Sequence, residues 1–244
     1  MRYSIALAAL LSAAPLAVLA DDWTYDATIY GWLPGVSGSL ATPRGDLDLG
    51  SSGGSIDLDN LEMAFMGTFE ARNGKWSILG DLLYTDLATQ KETPFGVLFS
   101  SADVDVKVSA LSGYLAYRVV DDPNVTVDVA AGFRAFGLDI GTTLNAGTLP
   151  SESASIGDGW VDPLVAARAT WKFSEKWSAS AFADFGGIGG SSQTWQALAT
   201  ANYNFNENWS GRFGYRYMDV EKSIDGRDIK IGLGGPMVGV TVRF

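Results

Sequence analysis

The side chains in this sequence that are best suited to chemistry are carboxylates and arginines, and they recur at alternate positions. In the segment 125–137, Asp128 and Arg134 share one face, while Val127, Val129 and Phe133 share the other. A guanidinium beside a carboxylate can form an ion pair or face a charged solute, and neighbouring carboxylates can act as acid and base. The chemistry open to this chain is therefore that of carboxylates and cations.

The residues most often used for nucleophilic catalysis are missing. The chain has no His and no Cys, and the motif Gly-x-Ser-x-Gly does not occur in it. Hydroxyl and thiol nucleophiles usually depend on a neighbouring base such as His, and thiolate metal sites need Cys. We therefore predict that the protein is not an enzyme, and that it carries no cofactor and no metal.

The elements that would position these charges are strands. From Trp23 onward the apolar residues recur at every second position, which is the period of a strand with two different faces. We predict ten strands, near residues 24–33, 61–72, 76–87, 103–119, 125–139, 161–173, 177–188, 193–205, 208–220 and 229–244.

Alternation alone fits a soluble β-sandwich as well as a membrane barrel, so strand length and aromatic placement must decide. The segments run for about nine to sixteen residues, near or above the ~9–11 that cross a bilayer at a tilt. Trp76, Trp177 and Trp209 follow tight turns, as in an interfacial aromatic girdle. The sequence predicts an all-β fold, a transmembrane antiparallel up-and-down β-barrel of about ten strands (eight is the alternative), with a soluble periplasmic sandwich as the fallback.

The N-terminus is typical of a secretory signal peptide. An early Arg2 precedes a short apolar run that ends in Val18-Leu19-Ala20, before Asp21-Asp22. We predict a cleaved signal peptide over residues 1–20 and a barrel over residues 21–244, located in the cell outer membrane. The formal net charge of −11 argues against a nucleic-acid partner, because phosphate binding needs a clustered basic face.

The last seven residues, Val238-Gly239-Val240-Thr241-Val242-Arg243-Phe244, alternate and end on an aromatic residue. This segment resembles the C-terminal signal by which the outer-membrane assembly machinery recognises barrel proteins, with Phe244 as the terminal residue of that signal. The resemblance implies that this machinery is a partner. The predicted location makes outer-membrane lipid and lipopolysaccharide the other partners, and a monomer is expected.

The second half of the chain also resembles an uncharacterised group of proteobacterial outer-membrane β-barrel proteins. The similarity covers about residues 160–244 and implies fold and location only. The matching patches are Trp160-Val161-Asp162-Pro163, Asp184-Phe185-Gly186-Gly187, Trp195-Gln196-Ala197, Gly214-Tyr215-Arg216-Tyr217 and Gly235-Pro236.

If the polar face of each strand points into the barrel, the lumen carries charges of both signs in nearly equal number. The core of this predicted lumen-facing network is Glu70, Asp81, Asp128, Arg134, Asp162, Arg168, Asp184, Arg212 and Arg216. The same rule brings in Asp26, Glu62, Arg72, Asp105, Lys107, Arg118, Lys172 and Arg243.

A barrel of about eight to ten strands is scarcely wider than its own side chains, so these charges favour a filled lumen of ion pairs. The function predicted is structural, adhesive or envelope-stabilising, and a narrow passive, porin-like channel for small solutes is the alternative. Two further expectations are an acidic hairpin within residues 46–59, and β-bulges or a kink where the apolar phase changes, at 108–113 and at Gly234-Gly235-Pro236.

Overall fold

The computed structural model describes residues 23–42, 45–48, 54–55, 61–92, 99–187, 192–224 and 227–244. The predicted signal peptide lies outside these residues. None of the described residues forms a helix that is long and apolar enough to cross a membrane.

Within these described residues, thirteen strands make up one antiparallel sheet, and ten of them form the wall of a barrel. The ten wall strands are β1 (Trp23–Trp32), β5 (Leu61–Asn73), β6 (Trp76–Glu92), β7 (Phe99–Asp121), β8 (Val125–Ala146), β9 (Glu152–Lys172), β10 (Trp177–Gly186), β11 (Ser192–Asn204), β12 (Trp209–Ile224) and β13 (Arg227–Arg243). The three others are β2 (Gly35–Thr42), β3 (Gly45–Asp48) and β4 (Gly54–Ser55).

Each wall strand pairs with its neighbour in the chain, and the first pairs with the last. Asp26 of β1 faces Arg243 of β13, and seven residue pairs in register close the ring between these two strands. The predicted all-β, ten-stranded antiparallel barrel is therefore confirmed. Closure leaves no free edge along this seam, which satisfies the backbone polar groups of both strands.

Four tight turns lie at one end of the barrel, together with Trp23 and Phe244, and we call this the turn end. The turns join β5 to β6, β7 to β8, β9 to β10 and β11 to β12, where the sequence predicts them. In the first turn Gly74 has a φ of 53°, a left-handed conformation that glycine adopts without strain. In the last, the side chain of Asn206 accepts hydrogen bonds from the backbone N–H of Asn208 and Trp209.

At the opposite end, which we call the loop end, several strands run much further than a bilayer requires. Strands β7, β8 and β9 have 23, 22 and 21 residues, against the ~9–11 needed to cross at a tilt. The predicted strands stop short at this end, most clearly in β9, which begins at Glu152 rather than near residue 161. The four neighbouring strands β6 to β9 form a sheet that projects beyond the part of the barrel whose outer surface is apolar.

The loop after β1 continues the wall before it turns back. Strand β2 pairs with β13 in the same register as β1, so that Gly35 faces Gly234 across the seam. Strands β3 and β4 both pair with β2. The predicted acidic hairpin has two acidic segments. The first contains Asp46 and Asp48 and pairs with β2, and the second, 56–59, lies outside the described residues.

The change of apolar phase within β7 and β13 has a different cause from the one that the sequence suggests. The register of β7 with β6 and β8 is continuous from Ala102 to Arg118, and that of β13 with β12 is continuous through Pro236. The predicted bulges at these positions are wrong. On the turn-end side of the change, the outer face of the strand is apolar and the inner face is polar. On the loop-end side, the inner face is apolar, and Ala110 and Leu233 pack into an apolar core inside the barrel.

The outer surface of the barrel carries an exposed apolar belt that is bordered by aromatic rings. The row at the turn end comprises Trp23, Trp76, Tyr117, Trp171, Phe173, Trp177, Phe205, Trp209 and Phe244. A second row includes Trp195, whose ring centroid lies 5.0 Å from that of Tyr217. Between the rows, exposed residues such as Ile29, Val165 and Val240 face outward. A soluble protein rarely exposes such a continuous apolar surface.

Candidate functional site: the lumen

Seven of the nine predicted network residues fall into two groups inside the barrel, one across its middle and one nearer the turn end. Arg134, Asp184, Arg216 and Asp81 belong to the middle group. Glu70, Asp128 and Arg168 belong to the group nearer the turn end, together with Arg72 and Arg118.

The middle group contains a buried ion pair between Arg134 of β8 and Asp184 of β10. Arg134 Nη2 lies 2.6 Å from Asp184 Oδ2, and the exposed fraction of both side chains is 0%. Arg134 Nε donates to Ser112 Oγ at 2.9 Å and Nη1 donates to Thr194 Oγ1 at 3.1 Å. Tyr114 donates its hydroxyl hydrogen to Asp184 Oδ2 at 2.7 Å. The guanidinium is thus held by side chains of β7 and β11 as well as by its carboxylate on β10.

A second Arg–Asp–Tyr group lies beside the first. Arg216 Nη2 of β12 is 2.7 Å from Asp81 Oδ2 of β6, and Tyr30 of β1 donates its hydroxyl hydrogen to Asp81 Oδ1 at 2.6 Å. Arg216 Nη1 donates to the Tyr30 hydroxyl oxygen at 2.6 Å, and its guanidinium carbon lies 5.1 Å from the centroid of the Trp32 ring. All three polar side chains are almost completely buried.

Gln196 of β11 joins the two groups. Its Oε1 accepts a hydrogen bond from Arg216 Nε at 3.0 Å, and its Nε2 donates to Asp184 Oδ2. The hydrogen-bonded chain runs from Asp81 on β6 through Arg216 and Gln196 to Asp184 and Arg134. We call these five residues, with Tyr30 and Tyr114, the plug. Because β6 and β12 lie on opposite sides of the ring, the plug crosses the lumen.

Three plug members, Tyr30, Tyr114 and Gln196, are absent from the predicted network. The prediction followed charge alone, and these residues are neutral hydrogen-bonding side chains on the inward face of their strands. A signal was available, since Trp195-Gln196-Ala197 is one of the patches that resemble outer-membrane proteins. Asp184 and Arg216 come from two other such patches.

Apolar side chains pack inside the barrel on the loop side of the plug. Met66, Leu83, Phe136 and Met218 are buried in one cluster with Trp32. Leu83, Phe136 and Met218 each follow a polar inward residue two positions away, as Phe136 follows Arg134, and Met66 precedes Thr68 because β5 runs in the opposite direction. A packed apolar layer excludes water, so the plug is closed off from the loop end.

The group at the turn end places three arginines around two carboxylates. Arg168 holds Glu70 with both Nη atoms, at 2.6 and 2.7 Å, and its Nη2 is also 2.8 Å from Asp128 Oδ2. Arg72 bridges the same two carboxylates at 2.9 and 3.0 Å, and Arg118 Nε donates to Asp128 Oδ1 at 3.0 Å. The three arginines and Glu70 are partly exposed, unlike the side chains of the plug, whereas Asp128 is buried.

Two predicted members stand apart from both groups. Asp162 accepts hydrogen bonds from Trp160 Nε1 at 3.0 Å and from the Ser192 hydroxyl, on the loop side of the plug. Arg212 lies inside the turn end, but its Nε is buried without a hydrogen-bond partner among the described residues.

The wider assignment of charges to the lumen is wrong for two residues. Lys107 lies on the outer face of β7, where its Nζ is 2.7 Å from Asp86 Oδ2 and half of its side chain is exposed. Asp105 alternates with it on the same exposed face. Both residues lie above the apolar belt, where the inner face of the strand is the apolar one. The side chain of Glu62 lies outside what the structure describes.

The arrangement is suited to closing the lumen. Between the two groups is a void of about 10 Å³ lined by Ser77, Leu79, Tyr114 and Phe182, which is room for about one water molecule. Within the described ranges, no group of three or more carboxylates is placed to hold a metal ion.

Neither a protein-family model nor a curated protein matches the sequence. The fold is similar to that of the outer membrane protease OmpT from Escherichia coli, with a TM-score of 0.61, 11% identity, and coverage of 92% of this chain and 97% of that one. A Pseudomonas aeruginosa FadL homologue (TM-score 0.40, 8% identity, 92% and 90% coverage) and the Yersinia pestis attachment protein Ail (TM-score 0.34, 15% identity, 91% and 99% coverage) are more remote. At such identities the likeness to OmpT shows a shared outer-membrane β-barrel fold and nothing about activity.

Proposed function

We propose that this protein is a non-conducting outer-membrane barrel with a structural, adhesive or envelope-stabilising role. The observation that carries the proposal is the plug, a buried hydrogen-bonded chain of seven side chains across the lumen. A solute would have to break two buried ion pairs to pass it. Breaking such a pair costs about 3–5 kcal/mol.

The outward surface supports a location in the outer membrane. The apolar belt and its two aromatic rows match the surface that a bilayer contacts, with lipid and lipopolysaccharide as the surrounding partners. Both described termini lie at the turn end, which is the periplasmic side in this arrangement. The chain closes its own barrel, so a monomer is sufficient.

The long strands at the loop end support a role at the cell surface. Strands β6 to β9 continue as a four-stranded sheet outside the belt, and the first acidic segment lies beside β2 on the far side of the ring. The outward faces of this extension carry small and acidic residues, including Asp86, Asp139 and Ser155. A rigid, water-soluble projection on a sealed barrel suits adhesion or envelope support.

The absence of catalysis belongs to the same proposal. The carboxylates of the plug are each engaged by an arginine and a tyrosine, and the apolar layer covers them on one side. A general acid or base has to reach its substrate, either directly or through one water. The arrangement therefore serves structure.

The decisive experiment is single-channel recording of the purified protein in planar bilayers. We expect no stable conductance steps from the wild type. The double variant R134A/R216A removes both guanidiniums of the plug and, where it remains folded by heat-modifiable gel mobility, should admit ions. K107A, which loses a charge on the outer face, is the matched control and should stay silent.

Stable conductance of the wild type would overturn the proposal in favour of the porin-like channel. If the wild type does not conduct, a variant that lacks residues 34–60 distinguishes adhesion from envelope support. Loss of cell binding would indicate adhesion, and increased detergent sensitivity would indicate envelope support. Recovery of the protein in the outer-membrane fraction tests the location.

A further inference from the structure

The half of the lumen nearer the turn end carries a surplus of positive charge, although the whole chain has a net charge of −11. Its inward strand positions hold six cationic side chains against four carboxylates, and the rim adds Lys176, Glu175 and Glu207. The inward cations are Arg72, Arg118, Arg168, Lys172, Arg212 and Arg243, and the inward carboxylates are Asp26, Glu70, Asp121 and Asp128. A surplus of one sign inside an otherwise acidic protein calls for a specific explanation.

The inward carboxylates of this half of the lumen are already engaged by arginines other than Arg212. Asp26 is held by Arg243, with two contacts of 2.8 Å, and Glu70 is held by both Nη atoms of Arg168. No ion pair joins Arg212 to a carboxylate among the described residues.

Arg212 also has a hydrogen-bond donor that nothing satisfies. Its Nε is fully buried and has no acceptor within the described part of the chain, and Nη1 of Arg72 is in the same condition. Buried donors are paired in the great majority of proteins, and an orphan on a charged group is costly. An acceptor that carries negative charge would relieve both the unpaired donor and the uncompensated cation.

A route from solution to Arg212 exists at the turn end. An open cavity of about 440 Å³ lies at the mouth of the barrel, beside the inward residues Asp26, Ser210, Thr241 and Arg243. Its rim also carries charges of both signs, Lys176 against Glu175 and Glu207. Ser210 is two residues before Arg212 in β12, so their side chains share the inward face, one step apart. An anion that passes the rim cations Lys172 and Lys176 reaches Arg212, whose buried guanidinium has no carboxylate partner among the described residues.

We propose that the turn-end half of the lumen binds a small oxyanion, phosphate or carboxylate, on Arg212, with entry through this mouth. A guanidinium suits such a ligand, because its planar fork can donate two parallel hydrogen bonds to two oxygens. The site is separate from the plug, and the proposal does not depend on whether the lumen conducts.

The experiment is titration calorimetry of the folded protein in detergent, with inorganic phosphate and acetate as separate probes. We expect saturable binding of at least one probe by the wild type, and a loss of about tenfold or more in affinity on Arg212→Gln. Lys172→Gln removes the same charge from the same half of the barrel, where the side chain is exposed, and should change affinity by less than about twofold. Binding of one probe alone identifies the class of oxyanion.

Absence of binding for both probes would overturn the proposal. So would an equal loss in both variants, because it would show diffuse attraction to a cationic region. Thermal unfolding provides a second readout, since a ligand that binds only the folded state raises the unfolding temperature. Phosphate or acetate should raise that temperature for the wild type and for Lys172→Gln. If Arg212→Gln does not fold, Arg212→Lys keeps the charge, loses the fork and should show a smaller rise.

Discussion

Replacing Asp184 with Asn is the most direct test of how the plug holds the barrel together. The change keeps the shape of the side chain and removes its charge, so that Arg134 is left buried without a counterion. In the wild type Arg134 Nη2 lies 2.6 Å from Asp184 Oδ2, and neither side chain is exposed. The substituted amide can keep its oxygen toward Arg134 and place its nitrogen where Oδ1 of Asp184 has no hydrogen-bond partner among the described residues, so the change tests the loss of the charge.

The loss of free energy of unfolding that we expect from Asp184→Asn follows from the burial of the ion pair. Removing one partner of a buried ion pair costs about 3–5 kcal/mol, because the other charge cannot be rehydrated. The matched control is Glu221→Gln, which breaks the exposed pair between Glu221 Oε1 and Lys230 Nζ at 2.8 Å. An exposed pair of this kind contributes about 0–1 kcal/mol.

The assay is urea unfolding in lipid vesicles, followed by tryptophan fluorescence and by gel mobility without boiling. A double variant, Arg134→Met with Asp184→Leu, removes both charges together. The double variant should lose less free energy of unfolding than the two single variants together. Each single variant leaves one buried charge unpaired, whereas the double variant leaves none. A loss below about 1 kcal/mol for Asp184→Asn, or full additivity in the cycle, would refute the view that the pair is a coupled, desolvated unit.

Two further substitutions test the placement of the belt and the close approach of strands. Val129→Arg puts a charge in the middle of the belt and should cost about 2–4 kcal/mol in the free energy of unfolding in vesicles, whereas Ser155→Arg on the projecting sheet should cost about 0–1 kcal/mol; equal costs would contradict the placement. A Cβ added to Gly132 would lie 1.9 Å from the carbonyl oxygen of Gly113, and one added to Gly31 meets nothing within 4 Å. Gly132→Ala should therefore lower the midpoint of unfolding by more than Gly31→Ala, and similar midpoints for the two would count against that packing.

The sequence predicts the turn-end half of the fold well, for a physical reason. There the outer face meets lipid and the inner face meets polar side chains, so the two-residue period is strong and the turns are marked by Asn73-Gly74 and similar pairs. The predicted bounds of β5, β6, β8 and β10 agree with the structure within one residue at this end.

The loop-end half was harder to predict because the two faces exchange character. Above the belt the outer face of β7 meets water with Asp105 and Lys107, and its inner face packs Val108 and Ala110 into a core. The alternation continues, but the apolar residues now lie on the inner face and the polar residues on the outer face. In a single sequence this exchange cannot be told from a shift of register. In β9 the outward residues there are Ser and Gly, so the pattern weakens and nine residues of strand were missed.

The candidate site was predictable as a set of charges but not as a set of contacts. Alternation places Arg134 and Asp184 in the lumen, yet it carries no information on which strand faces which across the ring. That choice depends on strand number and tilt, which fix how residues from β8 and β10 come level with each other. Lys107 shows the limit of the rule, since its face was assigned by polarity alone.

The plug has a consequence for the shape of the barrel's cross-section. Strand pairing resists stretching of the ring, but each pair of strands can hinge slightly, so an empty ten-stranded ring can flatten into an ellipse under sideways load. Arg216 ties β12 to Asp81 on the far side, and Arg134 ties β8 to β10. These ties act as cross-braces at a fixed height. We therefore expect the wall to resist flattening at this height, and the base of the projecting sheet of β6 to β9 to keep its outline under sideways load.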